Sequence, residues 1–403
     1  MASAVHKPAS SLPRVVLKKG REGPVHGMNP WIFSRAIERV EGAPLEPGAA
    51  VEVRDSAGGL LGAGYYHPAT TIAVRMLSFG AQTDLCAVIA ARLADAIELR
   101  RHIVPDDSNC CRLINGDGDG LSGLVVDRYA DVLVVQFLTA GMERMREDVV
   151  RMLRQALAPR SIIERSAGAV RREEGLADRS GLIWGEPAAE VIVSENGFRI
   201  AVAPGRGQKT GYFLDQRDNR RYAGRIARGA RVLDAFCYAG GFTLAALAGG
   251  AAHVTAVDTS APALKWARRN LEMNCLGGER VELVCEDAGR YLANCGSQFD
   301  LIVLDPPPFA RRRKDAPRAQ RLYVELNQLA IGALAPGGML MTFSCSQHFR
   351  GDDFFAALRA AQLRAGRNLR LLSRLGPGPD HPVMLGHLEG EYLTGALLGC
   401  WNR

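Results

Sequence analysis

Residues 232–241 are VLDAFCYAGG, an apolar run that ends at Asp234 and passes through small residues to Gly240 and Gly241. The pattern predicts a buried strand, a tight turn and the start of a helix. Because glycine has no Cβ atom, the backbone of such a turn can approach a ligand closely at the carboxyl edge of a sheet. Phe236 stands where a dinucleotide site of the G-x-G-x-x-G type has its first glycine, so the turn favours a nucleoside that lacks a pyrophosphate.

Strands and helices alternate around this stretch from about residue 198 onward. Apolar runs predict strands at 231–235, 253–258, 281–285, 301–305 and 339–344, and helical spacing predicts helices from Thr243 and over 261–274 and 318–334. This order predicts an α/β domain over residues 198–403, with a Rossmann-like, mostly parallel sheet and helices on both of its faces.

The first half of the chain has a different pattern. Short alternating strands punctuated by glycine, among them 15–17, 51–53, 60–66 and 72–77, predict a small β-barrel-like domain over residues 14–82. A small α+β domain is expected over residues 83–197, with helices at 85–101 and 142–157 and strands at 123–127, 132–137 and from 161. Residues 1–13 are polar, contain two prolines and are expected to be a flexible tail.

Three carboxylates follow successive predicted strands. Asp234 ends the first, Asp258 ends the next and Asp287 comes just after the third. A carboxylate in the position of Asp258 can accept hydrogen bonds from both ribose hydroxyls, and Asp287 suits an adenine amino group. Three acids at three strand ends favour a nucleoside cofactor over structural coincidence.

The segment Asp305-Pro306-Pro307 follows another apolar strand. Proline fixes φ and removes an N–H donor, so the bend is stiff and can form one wall of a flat pocket. The carboxylate of Asp305 can then bond the polar edge of a nucleobase. The proline pair by itself also fits a simple end to a strand.

Cys345 lies just past a later strand, between Ser344 and Ser346. Most cysteines are small buried thiols, and that interpretation is open here too. Its position at the same sheet edge as the acids and its polar neighbours favour a nucleophile instead. Cytosine C5 accepts a methyl group only after a thiolate has added to C6, and this chemistry needs one thiolate and one acid near N3.

Other polar segments surround these motifs. Residues 208–221 are dense in polar and aromatic side chains and are expected to form a lid over the cofactor, although a solvated helix start explains part of the run. The cations at 311–314 are either a solvated loop or a site for RNA phosphates beside the base pocket. His348 and His381 lack metal-ligand spacing, so we expect structural or substrate-orienting roles and no metal site.

Composition sets broad limits. The 403 residues carry a net charge of +7, which permits nucleic-acid binding without requiring it. Nine cysteines without a C-x-x-C pair predict free thiols in a reducing cytosol. No apolar run approaches the roughly 20 residues needed to span a bilayer, so a cytoplasmic protein is expected.

Six motifs together resemble one family. They are GQKTGYFLDQR (207–217), DAFCYAGGF (234–242), VDTS (257–260), LDPP (304–307), FSCS (343–346) and DHP (380–382). On these motifs the chain resembles the class I S-adenosylmethionine-dependent methyltransferases of the 23S rRNA cytosine-5 methyltransferase I type. Segments 26–33 and 62–66 resemble the family's N-terminal PUA domain, and 120–129 its middle domain.

The resemblance implies roles for individual residues. Cys345 would be the nucleophile and Asp305 would assist it, and S-adenosylmethionine would be bound by Asp215, Gln216, Asp234, Phe236, Tyr238, Gly240, Asp258, Thr259, Asp287 and Asp305. It implies 23S rRNA as the partner and leaves a homodimer as one option. Pro308 departs from the family, whose members often have lysine after the proline pair.

Two alternatives to a cytosine-5 methyltransferase stay open. One is an enzyme that methylates a purine nitrogen, as guanine-N7 enzymes do, and the other is an RNA-binding protein with an inactive methyltransferase domain.

Overall fold

A computed structural model of the protein describes residues 12–42, 44–205, 210–310, 312–346 and 349–401. All but the last two residues of the predicted flexible tail lie outside this part of the chain, as do the side chains of Arg311, Arg313 and His348.

The N-terminal region is a curled six-stranded sheet in the order β2-β6-β5-β4-β1-β3. Its elements are β1 (Arg14–Leu17), α1 (Gly23–His26), β2 (Trp31–Phe33), β3 (Ile37–Glu41), β4 (Ala49–Arg54), β5 (Leu60–Tyr66) and β6 (Ile72–Phe79). Alternate residues such as Val51 and Val53 point into a small core, and register shifts in four of the strand pairs increase the curl. The predicted strands are confirmed, and they form half a barrel.

The middle region is a five-stranded sheet in the order β11-β10-β9-β8-β7, covered on one face by helices. Its elements are α2 (Leu85–Ile103), β7 (Cys110–Asn115), β8 (Leu124–Tyr129), β9 (Val132–Phe137), α3 (Ala140–Arg144), α4 (Arg146–Leu157), β10 (Ser161–Ser166), α5 (Ala169–Glu173) and β11 (Arg179–Gly185). The single helix predicted at 142–157 is wrong in one respect, because the chain breaks at Met145 into α3 and α4.

A two-stranded hairpin, β12 (Val191–Glu195) and β13 (Phe198–Val202), connects the middle region to the C-terminal one. Its apolar residues share one core with strands β8 and β9 and with the C-terminal sheet. The boundary predicted between residues 197 and 198 falls inside this hairpin.

The C-terminal region is a seven-stranded sheet in the order β16-β15-β14-β17-β18-β20-β19. Its elements are α6 (Arg217–Ile226), β14 (Arg231–Ala235), α7 (Gly241–Ala248), β15 (His253–Asp258), α8 (Ala261–Met273), β16 (Val281–Cys285), α9 (Ala288–Asn294), β17 (Phe299–Leu304), α10 (Ala316–Ala333), β18 (Leu334–Ser344), α11 (Asp352–Ala365), β19 (Leu369–Leu375) and β20 (Thr394–Cys400). Strands β14 to β18 are parallel, and β19 and β20 are antiparallel additions, so the predicted mostly parallel sheet is confirmed.

The central strands are mostly apolar, as expected for strands with helices on both faces. In β17, Ile302 and Leu304 pack on one side, and Leu301 and Val303 on the other. The sequence pattern does not predict α11, β19 or β20. Strand β19 is an exposed edge and β20 contains two glycines, so neither has the continuous apolar run of a central strand.

Candidate functional site

The sheet order places the predicted site residues in one row. Asp287, Asp258, Phe236, Asp305 and Cys345 follow or end β16, β15, β14, β17 and β18, which are neighbours in that order. Parallel strands lie about 4.8 Å apart, so the row spans about 19 Å from the first carboxylate to the thiol.

These residues line a cleft of about 790 Å³ at the carboxyl edge of the parallel strands. Nine of the predicted residues are in its lining: Asp215, Gln216, Phe236, Tyr238, Asp258, Thr259, Asp287, Asp305 and Cys345. Asp234 and Gly240 are not among the described residues that line the cleft. The predicted contact of these two residues with the cofactor stays a prediction.

Asp234 supports the turn from below. Its side chain is buried, and Oδ2 accepts hydrogen bonds from Thr243 N at 2.9 Å and Thr243 Oγ1 at 2.6 Å. The carboxylate thereby holds the first turn of α7 against the end of β14. Burial raises the pKa of Asp234 to about 6, and the two hydrogen bonds offset only part of this effect.

The turn itself has an unusual backbone. Phe236, Tyr238 and Gly240 have φ values of 67°, 47° and 77°. Left-handed φ is uncommon for aromatic residues and tends to occur at functional sites. The conformation exposes part of the Phe236 and Tyr238 side chains to the cleft, while Gly240 packs closely against Ala267.

Asp258 fixes this turn from the neighbouring strand. Its Oδ2 accepts from Tyr238 N at 2.9 Å and its Oδ1 accepts from Ser260 N at 2.8 Å. Asp287 lies one strand further out, where Oδ1 accepts from Arg290 N at 2.9 Å and caps α9. Both carboxylates are held by backbone donors at one end of the cleft.

Cys345 is half-buried at the other end of the cleft, with Sγ 3.6 Å from the carbonyl oxygen of Pro306. Its neighbours Ser344 and Ser346 are fully buried, so their polarity does not indicate exposure as expected from the sequence. The two hydroxyls instead meet the hydroxyl of Tyr323 at 2.9 and 3.0 Å. This buried network fixes the backbone on both sides of the thiol.

The same network holds the proline bend. Ser346 Oγ accepts from the backbone nitrogens of Phe309 and Ala310 at 3.0 and 3.2 Å. Pro306 is buried, whereas Pro307 and Pro308 are exposed on the wall of the cleft. The thiol and the bend are therefore one rigid unit on adjacent strands.

Asp305 and Asp215 face the cleft with partners behind them. Gln216 Nε2 donates to Asp305 Oδ2 at 3.0 Å, and the Tyr392 hydroxyl donates to Asp215 Oδ2 at 2.6 Å. Burial and the charge of Asp215 raise the pKa of Tyr392 well above its usual value, so this hydroxyl stays protonated and remains a donor.

The predicted lid segment forms one wall of the cleft. Tyr212, Phe213 and Arg220 line it, and Phe213 meets the Tyr238 ring edge to face at 5.4 Å. The alternative of a solvated helix start is wrong, because Arg220 is buried in an ion pair with Glu195 at 2.6 Å. The Lys209 part of the motif lies outside the described residues.

Four residues of the site have no separate signal in the sequence: Tyr212, Asn219, Tyr323 and Tyr392. The first two belong to a motif that was already singled out, GQKTGYFLDQR and the residues after it. Tyr323 on α10 and Tyr392 before β20 reach the site only through the tertiary fold, and local pattern does not reveal them.

Two further predictions concern charged residues near the site. His381 is buried, with Nδ1 3.2 Å from Asp380 Oδ1, which is a structural role. Arg312 is exposed and 3.6 Å from Asp315, so its predicted contact with RNA phosphates stays a prediction.

Within the described residues, no group of three or more His, Cys, Asp or Glu side chains is placed to hold a metal ion, and no helix is long and apolar enough to cross a membrane.

Comparison with known families matches most of the chain. Residues 112–386 match the family described as S-adenosylmethionine-dependent methyltransferase, and residues 15–79 match a PUA-like domain. The second match confirms the PUA-like N-terminal domain expected from the sequence.

The chain is also similar to curated proteins. It is 40% identical over 388 residues to proteins named Ribosomal RNA large subunit methyltransferase I from Yersinia pseudotuberculosis serotype O:1b (strain IP 31758) and from Yersinia pestis. Each alignment covers 95% of this chain and 98% of the relative.

Two solved structures have the same fold over 96% of this chain and 99% of their own. One is a putative methyltransferase from Streptococcus mutans, with a TM-score of 0.80 and 20% identity. The other is a putative methyltransferase complexed with SAH, with a TM-score of 0.82 and 21% identity. At this identity the likeness shows the fold alone.

Proposed function

The chain belongs to the S-adenosylmethionine-dependent methyltransferases, and from that premise we propose that it methylates C5 of a cytosine in large-subunit ribosomal RNA through a covalent bond between Cys345 and C6. The observation that carries the proposal is the position of the Cys345 thiol in the same cleft as Phe236 and Asp258. The name of the 40% identical relatives supports the ribosomal RNA substrate.

The residues of the cleft fit a nucleoside cofactor. A Cβ atom on Gly241 would lie 2.5 Å from the Tyr212 hydroxyl, so the backbone is left bare where the turn meets the cleft. Phe236 and Tyr238 offer aromatic surface, and Asp258, Thr259 and Asp287 offer oxygen acceptors beyond them. These five side chains would hold S-adenosylmethionine, which when bound supplies a methyl group on a positively charged sulfur.

Cys345 provides the nucleophile that the reaction needs. Its thiolate would add to C6 of cytosine, and the electron pair of the C5–C6 double bond would form the new bond from C5 to the methyl carbon. The bond between that methyl carbon and the positively charged sulfur would break, and its electron pair would stay on the sulfur. C5 then loses its proton to a base, and the C6–S bond breaks so that the thiolate leaves. Every bond made to Cys345 is thus broken within the cycle.

Asp305 orients the cytosine ring. A carboxylate beside the thiol can accept hydrogen bonds from the amino group and from a protonated N3, which stabilises the charge that builds up during thiolate addition. The hydrogen bond from Gln216 Nε2 to Oδ2 holds the carboxylate in place for this role. Pro307 and Pro308 border the space that the flat base would occupy.

Residues outside the cleft are expected to contribute to RNA binding. The PUA-like domain and the cations at Arg312 and Lys314 are expected to contact the ribosomal RNA. The homodimer stays a prediction, which light scattering on the purified protein would test. Mass-spectrometric mapping of ribosomal RNA from a deletion strain would identify the modified nucleotide.

Replacement of the thiol tests the proposal. Cys345→Ala should abolish methyl transfer to RNA while the Kd for S-adenosylmethionine, measured by titration calorimetry, changes by less than about threefold. The matched control is Cys86→Ala on α2, outside the lining of the cleft, which should keep full activity.

Other outcomes would contradict the proposal. Transfer retained in Cys345→Ala would favour methylation of a purine nitrogen, with the thiol in a structural role. No binding of S-adenosylmethionine to the unchanged protein would favour an inactive RNA-binding protein.

A further inference from the structure

Asn219 on α6 is linked to the cleft by hydrogen bonds that run through Gln216. Its side chain is buried and is not among the described residues that line the cleft. Its Nδ2 donates to Gln216 Oε1 at 2.6 Å and to the carbonyl oxygen of Gly376 at 2.9 Å. Gln216 Nε2 in turn donates to Asp305 Oδ2 at 3.0 Å.

The direction of this chain of hydrogen bonds is fixed at both ends. The carbonyl of Gly376 and the carboxylate of Asp305 can only accept. Asn219 must therefore present its NH₂ group to Gly376, and the second proton of that group is directed to the oxygen of Gln216. The oxygen of Gln216 is then occupied, so its own NH₂ group faces Asp305.

We propose that Asn219 is a positioning residue for the methyl transfer, because it locks the amide of Gln216 in the one orientation that donates to Asp305. This inference rests on the proposed function, in which Asp305 holds the cytosine ring while Cys345 adds to C6. Without Asn219, the oxygen of Gln216 loses the donor that holds it, and the amide can swing away from Asp305. Asp305 would then lose the hydrogen bond that holds its carboxylate against the base.

The position of Asn219 makes the effect indirect. Asp305 and Gln216 line the cleft, but Asn219 acts only from behind them, so its loss should slow the chemistry without weakening cofactor binding. A displacement of about 1 Å of a group that orients the substrate can cost about 100-fold in rate.

The test measures how fast the covalent adduct between Cys345 and C6 of the cytosine forms. The probe is large-subunit ribosomal RNA transcribed with 5-fluorocytidine, in which fluorine replaces the C5 hydrogen that would leave as a proton after methyl transfer. After methyl transfer the Cys345–C6 bond then cannot break, and the trapped complex accumulates. Its rate of formation is measured under single-turnover conditions for the unchanged protein, Asn219→Ala and Asn219→Asp.

The expected result is a split between rate and affinity. Both variants should form the adduct about 10- to 100-fold more slowly, with the Kd for S-adenosylmethionine within about threefold of the unchanged protein. The matched control is Asn274→Asp, since Asn274 Nδ2 also donates to two carbonyl oxygens, at 2.7 Å each, outside the cleft. The control should form the adduct at the unchanged rate.

A double-mutant cycle separates positioning from a general structural role. Once Gln216 is replaced by alanine, removal of Asn219 should slow the adduct no further, because Asn219 acts through Gln216. If Asn219→Ala fails to fold, Asn219→Ser keeps one donor and is used in the same cycle. Thermal unfolding of each variant is recorded alongside.

Each outcome decides a different claim. Additive effects in the cycle, or adduct formation by the Asn219 variants at the unchanged rate, would overturn the positioning role and leave the proposed function standing. No adduct with the unchanged protein would refute the proposed function and the inference with it.

Discussion

At the scale of single residues, Asp234 shows how a carboxyl group can serve a site without entering it. It is buried beneath the turn and accepts two hydrogen bonds from Thr243. Its pKa of about 6 lies above the ordinary value of 3.8, because burial disfavours the charged form. The folded protein therefore binds this proton more tightly than the unfolded chain does.

The raised pKa has a consequence for stability. A group of this kind stabilises the fold fully below the unfolded pKa of 3.8, and that contribution is lost as the pH rises through about 6. Asp234→Asn keeps an oxygen acceptor for Thr243 and removes the charge. The variant should be more stable than the unchanged protein by ~2 to 3 kcal/mol near pH 8.

The measurement is urea unfolding of both proteins at several pH values. The difference in the free energy of unfolding should shrink as the pH falls below about 6 and vanish only below the unfolded pKa of 3.8. A difference that does not change with pH would show that the buried carboxyl is not the cause.

At the scale of elements, the turn between β14 and α7 depends on a bare backbone. A Cβ atom on Gly241 would lie 2.5 Å from the Tyr212 hydroxyl and 2.7 Å from Arg220 Cδ. Both neighbours are buried and packed against each other, with the Arg220 guanidinium 4.5 Å from the centre of the Tyr212 ring. Neither can move away without disturbing the wall of the cleft.

Gly241→Ala should therefore weaken binding of S-adenosylmethionine by at least about tenfold and lower the melting temperature. Calorimetric titration and thermal unfolding measure the two effects. The matched control is Gly332→Ala on α10, where a Cβ atom meets nothing within 4 Å and the variant should gain about 0.4 to 1 kcal/mol of stability. Equal affinity in both variants would contradict the tight packing around Gly241.

At the scale of the whole molecule, the segment 376–392 joins all three regions. Tyr392 bonds Asp215 of the cleft wall, and Gly376 bonds Asn219 behind that wall. Asp380 bonds the middle region through Arg112 N at 3.0 Å. His387 packs against Trp31 of the PUA-like domain, with ring centres 4.1 Å apart. One stretch of chain thus contacts the PUA-like, middle and C-terminal regions.

The centre of this segment is a buried ion pair. Asp380 accepts from Arg217 at 3.0 and 3.2 Å, and both side chains are almost fully buried. Burial by itself would raise the pKa of Asp380, but the hydrogen bond and charge of His381 and the charge of Arg217 outweigh it and lower the pKa to about 2. Its stabilising effect is therefore present above about pH 4 and is lost only as the pH falls through about 2.

Asp380→Ala should destabilise the protein by about 3 to 5 kcal/mol, because Arg217 is left buried without this partner. The control shares the same arginine: Asp218 accepts from Arg217 Nε at 3.2 Å, but its side chain is 44% exposed. Asp218→Ala should cost less than about 1 kcal/mol. Similar losses in the two variants, measured by urea unfolding, would show that burial of the pair does not set its strength.

The sequence by itself determined the parallel sheet, the half-barrel strands and most of the row of site residues. Each of these depends on neighbours in the chain: an apolar strand, a glycine turn and a helix follow one another, and parallel strands bring their carboxyl ends to one edge. Asp258, Asp305 and Cys345 could therefore be placed together before any coordinates were known.

Only the tertiary structure decided which residues support the row of site residues through hydrogen bonds. Tyr323, Tyr392 and Gly376 reach the site from elements far away in the chain, and the burial of Ser344 and Ser346 depends on α10. The sequence pattern carries no record of such contacts, because a hydrogen bond between distant segments depends on the relative placement of whole elements. The same reason explains why the hydrogen bonds from Thr243 to Asp234 could not be predicted from its strand-end position.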